Sequence, residues 1–191
     1  MQKKFKLQTL LEIAIFAGLA MLLDLIPSFK PHPSISISIA MIPIFIIAFR
    51  WGFRASLISG FLWGVLQIVT GDAWILTPLQ AFLEYFLGFA FIGFAGIFAR
   101  QIQTNLEQKN MSKTRIYIVI AIFVGSIARY FWHALAFIIF FDQYGIEVAN
   151  GPVIFSATMN GISALGAATL CSIVLILIIS KAPQIVTSAN K

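Results

Sequence analysis

From Leu7 to Ile179 the chain is a succession of long apolar runs, and the short segments between them hold most of its charges. That arrangement leaves little choice of fold. Apolar residues fill 60% of the 191 positions and charged residues only 10%, where a soluble domain carries about 25% charged. Folded in water, such a chain would expose far more apolar surface than it could cover. In lipid the backbone has to satisfy its own N–H and C=O groups, and helices do so for runs of this length. A span takes about 20 residues, so six spans with short connections use nearly the whole chain. The expected fold is an all-α membrane protein: one integral-membrane domain over residues 1–191, with no soluble domain and no internal repeat.

The six helices are expected at about 7–26, 36–49, 55–69, 77–98, 116–141 and 152–179. The basic start, Gln2 to Lys6, followed by an apolar run, resembles a signal peptide. The run to Ile26 is too long for one, carries Glu12 and Asp24, and lacks a small-residue cleavage site, so it reads as the first span. Pro27 to Pro33 is a proline-rich outer loop. Ser34 to Ile39 alternates as SISISI. Alternation is a strand signal, but a lone strand in lipid leaves backbone groups unpaired. The segment is therefore read as an extended approach, or a helix start, at the outer surface. Arg50 and Arg54 flank a turn at Gly52, and Pro78 suits a first helical turn. Arg100 to Arg115 reads as the one long polar linker, and Asp142 to Gly151 as an outer loop.

Charge sets the orientation. With both termini in the cytoplasm, the inner side holds Lys3, Lys4, Lys6, Arg50, Arg54, Arg100, Lys109, Lys113, Arg115, Lys181 and Lys191, and the outer loops hold only Lys30. Eleven against one follows the positive-inside rule. That distribution accounts for the net charge of +6 without a nucleic-acid partner. The lone Cys171 lies in an apolar run and reads as a small hydrophobe. There is no metal-ligand spacing of Cys and His, no G-x-S-x-G, no H-E-x-x-H and no P-loop. No catalytic residue, metal or cofactor is expected, and any ATP-driven step falls to other chains.

Polar residues inside the spans carry the functional signal. At 1.5 Å per residue, Glu84 lies about 10 Å below the outer start of its helix, Asn160 and His133 about 12 Å below theirs, and Trp63 about 9 Å. Four helices thus place a polar or amphipathic side chain at one level in the outer half. Arg129 lies one turn deeper than His133 on the same face. Ionisable groups at such depth face a bundle interior or a water-filled cavity. One reading is a pocket open to the outside; the other is a structural cluster in which Glu84 pairs with Arg129. A carboxylate among aromatic faces (Trp63, Trp74, Tyr85) suits a flat cationic ligand, and Asn160 and His133 supply hydrogen bonds to a heteroaromatic ring. Trp74 also fits an interfacial anchor. On the first helix, Ala14 and Gly18 form a small-residue step that admits close helix packing.

Three stretches carry a resemblance: GFLWGVLQIVTGDAWILTPLQAFLEY, then RYFWH, then MNGIS around Asn160. Together they resemble the thiamine-specific substrate-binding (S) components of energy-coupling-factor (ECF) transporters, over Glu12 to about Ile179. The resemblance implies a six-helix protein of the bacterial cell membrane that captures thiamine outside the cell. Its implied partners are a transmembrane coupling protein and two cytoplasmic ATPases. It places Trp63, Glu84, Tyr85, His133 and Asn160 at binding positions, with Arg129 beside them, and Ala14 and Gly18 on a docking face. Trp74 stands where a tyrosine is often found, Phe141 where a ring-stacking tryptophan is known, and Phe155 where a tyrosine is known. Ser34 and Ser38 replace a tryptophan and a glutamate of the first outer loop. Alternatives remain: the same scaffold tuned to another vitamin or to the pyrimidine precursor of thiamine, a membrane enzyme using Glu84 and His133 as acid and base, or a structural subunit without a ligand.

Overall fold

The computed structural model describes residues 6–26, 29, 31, 32 and 34–187. Pro27, Lys30, Pro33, Lys3, Lys4 and Lys191, used above for the outer loop and the charge distribution, lie outside them. Six helices of ten residues or more occur among the described residues: α1 (Leu7–Asp24), α2 (Ile42–Trp51), α3 (Phe53–Val69), α4 (Pro78–Glu107), α5 (Met111–Ile139) and α6 (Gly151–Lys181). Four of them, α1, α4, α5 and α6, are long and apolar enough to cross a membrane; α2 and α3 are shorter. Large apolar side chains face outward along the bundle, among them Leu11, Ile15, Ile127, Phe131, Leu165 and Leu177. This is an integral membrane protein, since that surface is stable in hydrocarbon and not in water.

α2 is the hub. Every residue from Ile42 to Phe49 is buried, so the short helix lies among α1, α3 and α4. Pro43 occupies its first turn, where a missing N–H costs nothing. Gly52, at φ +81°, ends it and caps α3, a backbone angle that suits glycine. The helix expected over 36–49 therefore begins only at Ile42. The segment before it is extended, and Phe29 and Ile37 exchange backbone bonds of 3.1 and 3.0 Å as an isolated antiparallel bridge. The bridge answers the objection that a lone strand would leave its backbone unpaired.

The expected linker from Arg100 to Arg115 is corrected as well. Helix α4 runs on to Glu107 and α5 starts at Met111. The polar stretch still has Ile102 and Leu106 buried four residues apart, one apolar face of an amphipathic helix end. The break is confined to Gln108, Lys109 and Asn110, and the Asn110 side chain caps α5 by accepting from the Lys113 N–H at 3.1 Å.

α4 is irregular around Glu84 and again further along. Phe82–Gly88 winds as a π-helix and Ile92–Phe98 as a 3-10 helix. A π turn widens the spiral and re-aims the side chains it carries, and Glu84 sits inside it. This irregular helix lies against α3 at very short range. A Cβ on Gly64 would stand 1.7 Å from the Tyr85 carbonyl oxygen, and one on Gly60 2.3 Å from that of Phe89. Both neighbours are backbone and cannot rotate away. Replacing Gly64 with leucine must push α4 off α3; a loss of at least about 2 kcal/mol is expected, read as a lowered unfolding temperature of the purified protein in detergent.

Candidate functional site

Glu84 comes from the π turn near the start of α4, Arg129 and His133 from the later part of α5, and Asn160 from the early part of α6. These parts meet at one end of the bundle around a cavity of about 450 Å³, within the range of small-molecule sites. At the opposite end Arg50 binds Glu12 at 2.7 Å and carbonyls of residues 184, 185 and 187. Sixteen residues of α4 separate Glu84 from Arg100, about 24 Å along a helix axis. The cavity and the basic ends are thus far apart.

The turn before α4 is built to hold the rim. Gly71 takes φ +79°. Thr77 caps the helix by accepting from the Gln80 N–H at 3.1 Å. The buried Gln80 side chain donates to the Trp74 carbonyl at 3.2 Å and accepts from the Leu76 N–H at 3.0 Å. The Tyr85 hydroxyl accepts from the Trp74 N–H at 2.7 Å. Trp74 is thereby fixed at the mouth with its ring edge on Tyr144, centroids 6.0 Å apart.

Within the cavity, Glu84 Oε1 accepts a hydrogen bond of 2.7 Å from the Tyr144 hydroxyl. Glu84 Oε2 stands 3.7 Å from His133 Nδ1. His133 Nε2 accepts from Arg129 Nε at 3.3 Å, which puts the proton of a neutral imidazole on Nδ1, the nitrogen toward Glu84. Burial and the adjacent Glu84 carboxylate push the Tyr144 phenol above its ordinary range, so it stays protonated and keeps donating. The Arg129 guanidinium lies over Phe89 at 4.3 Å and Trp63 at 4.9 Å, an arrangement that offsets part of the cost of a cation in an apolar bundle. The Asn160 amide nitrogen donates to the Ser156 carbonyl at 3.1 Å, which leaves its Oδ1 without a partner among the described residues.

Of the residues singled out in the sequence, Trp74, Glu84, Arg129, His133, Phe155 and Asn160 line the cavity. Three do not. Trp63 is fully buried beneath Arg129 and packs edge-on against Phe89 at 4.6 Å. Tyr85 holds the Trp74 backbone, and Phe141 packs behind Phe137 at 5.6 Å. The cluster reading that joins Glu84 to Arg129 is also corrected: Arg129 bonds His133, and the hydrogen-bond partner of Glu84 is Tyr144. Ser34, noted in the sequence as a departure in the first outer loop, also lines the cavity, and Tyr144, Phe137, Tyr130 and Ser36 line it unforeseen. Phe137 lies one helical turn beyond His133, so the i+4 rule applied to Arg129 and His133 would have reached it. The Ser34 to Ser38 segment is seated by the Ser36 N–H on Ser163 Oγ at 3.1 Å and by the Tyr130 hydroxyl on the Ser36 carbonyl at 3.2 Å.

Fold and site together define a membrane-embedded helical protein with a small-molecule cavity holding one carboxylate among aromatic rings. Residues 10–187 match the family model described as thiamine transporter protein (Thia_YuaJ). The chain is 37% identical over 191 residues to the thiamine transporter ThiT of Bacillus subtilis (strain 168), covering 98% of each. It is 32% identical over 188 residues to the thiamine transporter ThiT of Lacticaseibacillus paracasei, covering 97% of this chain and 93% of that one. A solved structure of ThiT from Listeria monocytogenes superposes with a TM-score of 0.90 at 40% identity, covering 95% of this chain and 98% of that one. The chain belongs to the thiamine transporter protein family.

Proposed function

We infer that the chain captures thiamine from outside a bacterial cell, as the substrate-specificity subunit of an ECF-type vitamin importer. The observation that carries this reading is Glu84. It is a carboxylate with 13% of its side chain exposed, aimed into a cavity rimmed by Trp74, Phe155 and Tyr144. Thiamine carries a permanent positive charge on one flat ring and an amino group on another. The carboxylate pairs with the charge, aromatic faces receive the rings, and Asn160 Oδ1 is free to accept from an amino donor. Arg129, one turn deeper, bounds the site on its inner side and keeps the His133 tautomer that faces Glu84. Trp63, Tyr85 and Phe141 support these groups from behind.

In this reading all six helices cross the bilayer, α2 and α3 with help from their flanking segments, and both termini are cytoplasmic. The clustering of Arg50, Arg100 and Lys181 at the end away from the cavity supports that orientation. The chain performs no catalysis and takes no cofactor or metal. Transport energy comes from two cytoplasmic ATPases acting through a transmembrane coupling protein. Ala14 and Gly18 lie on the face of α1 that also exposes Leu11, Ile15 and Leu22, and that face is the proposed docking surface for the coupling protein.

Replacing Glu84 with glutamine removes a charge and keeps the shape. The loss of thiamine affinity expected is about 2–5 kcal/mol, measured by quenching of tryptophan fluorescence, with a smaller loss for the uncharged pyrimidine moiety. Equal affinity of the variant and the parent for thiamine would take Glu84 out of the site. At Gly18 a Cβ meets nothing within 4 Å, so Gly18→Leu fits the isolated fold. Thiamine binding is expected to survive in that variant while uptake by cells falls; unchanged uptake would remove the docking assignment.

A further inference from the structure

The segment from Phe141 to Asn150 closes the outer side of the cavity, yet little holds it. It is a single helical turn, Phe141–Tyr144, then Gly145 at φ +64° and a loop leading into α6. Asp142, Gln143, Gly145, Ile146, Glu147, Ala149 and Asn150 are exposed. Among the described residues, the side-chain hydrogen bond that ties it to the rest of the protein is that of Tyr144 to Glu84, at 2.7 Å. The Tyr144 ring is set for this bond, lying 4.9 Å from Phe137 and edge-to-face with Trp74. The loop is thus fastened to the same carboxylate that the cavity offers to a ligand.

We propose that Tyr144 is a positioning residue that straps the loop over the cavity and fixes Glu84 so that its second oxygen faces the ligand. An ionised carboxylate has about four acceptor positions on two oxygens. With Oε1 taken by Tyr144, Oε2 points toward the His133 side of the cavity and stays open to a cationic group. Ligand and loop then share one anion. A cation bound at Oε2 keeps Glu84 ionised and in place, so the strap persists while the site is occupied. Loss of the hydroxyl frees the carboxylate to turn and the loop to lift, so a bound ligand leaves sooner. The ligand half of this inference rests on the thiamine reading above; the loop half rests on geometry alone.

The test is Tyr144→Phe in the full-length protein, alone and combined with Glu84→Ala. In the ligand-free state, amide hydrogen exchange over 141–150 is expected to rise in Tyr144→Phe. With thiamine, the dissociation rate is expected to rise about tenfold, the value of one hydrogen bond to a charged group, with little change in the association rate. In the Glu84→Ala background, which has no side-chain acceptor for the phenol, Tyr144→Phe is expected to add almost nothing to the exchange, because the two side chains act as a unit. Unchanged exchange in Tyr144→Phe would overturn the strap. An equal increment in both backgrounds would overturn action through Glu84. If the parent protein bound no thiamine, the functional reading would fall while the ligand-free exchange comparison still decided the strap.

Discussion

The structure depends on placing one carboxylate inside a largely apolar helix bundle. A charge at that depth is costly unless donors surround it, and Glu84 has a phenol at 2.7 Å and an imidazole nitrogen at 3.7 Å. Its backbone is part of the same solution. The π turn of Phe82–Gly88 sits where α4 lies closest to α3, against glycines that have no side chain to obstruct it. A regular helix with larger neighbours would present Glu84 at another angle. The glycine contact, the π turn and the aim of the carboxylate are one linked feature.

On the cavity wall, the Arg129 cation is handled by different means. Arg129 is spread over aromatic faces and gives one bond to His133. This explains why Trp63 is present and why it does not touch the cavity. Its ring forms part of the platform beneath the guanidinium, which in turn orients the imidazole. The buried α2 supports this platform from the core, where Phe45 and Phe49 stack 6.3 Å apart. The rim is held separately, by Gln80 and Tyr85 around Trp74 and by Ser163 and Tyr130 around Ser36.

Much of this was legible in the sequence, for identifiable reasons. Apolar runs locate the helices because lipid demands them, and counting residues at 1.5 Å each placed Glu84, His133 and Asn160 at one level. Depth along a helix does not fix the direction a side chain faces, so Trp63 shared the level and still faced the core. The start of α2 was obscured because a helix buried all round has no amphipathic signal, and SISISI is ambiguous beside it. Polarity concealed the end of α4, where Ile102 and Leu106 were the readable exception. Tyr144 was beyond this reasoning, because it stands on a loop where no periodicity relates position to direction. Only the folded chain brings it back, 60 positions along, to the carboxylate on α4.

The central claim is that this cavity holds a cationic vitamin against Glu84. Titration of the purified protein with thiamine, followed by intrinsic tryptophan fluorescence, tests it most directly, since Trp74 stands at the rim and Trp63 lies beneath the floor. The account predicts a saturable change with one thiamine per chain. No saturable binding of thiamine by a folded preparation would contradict it.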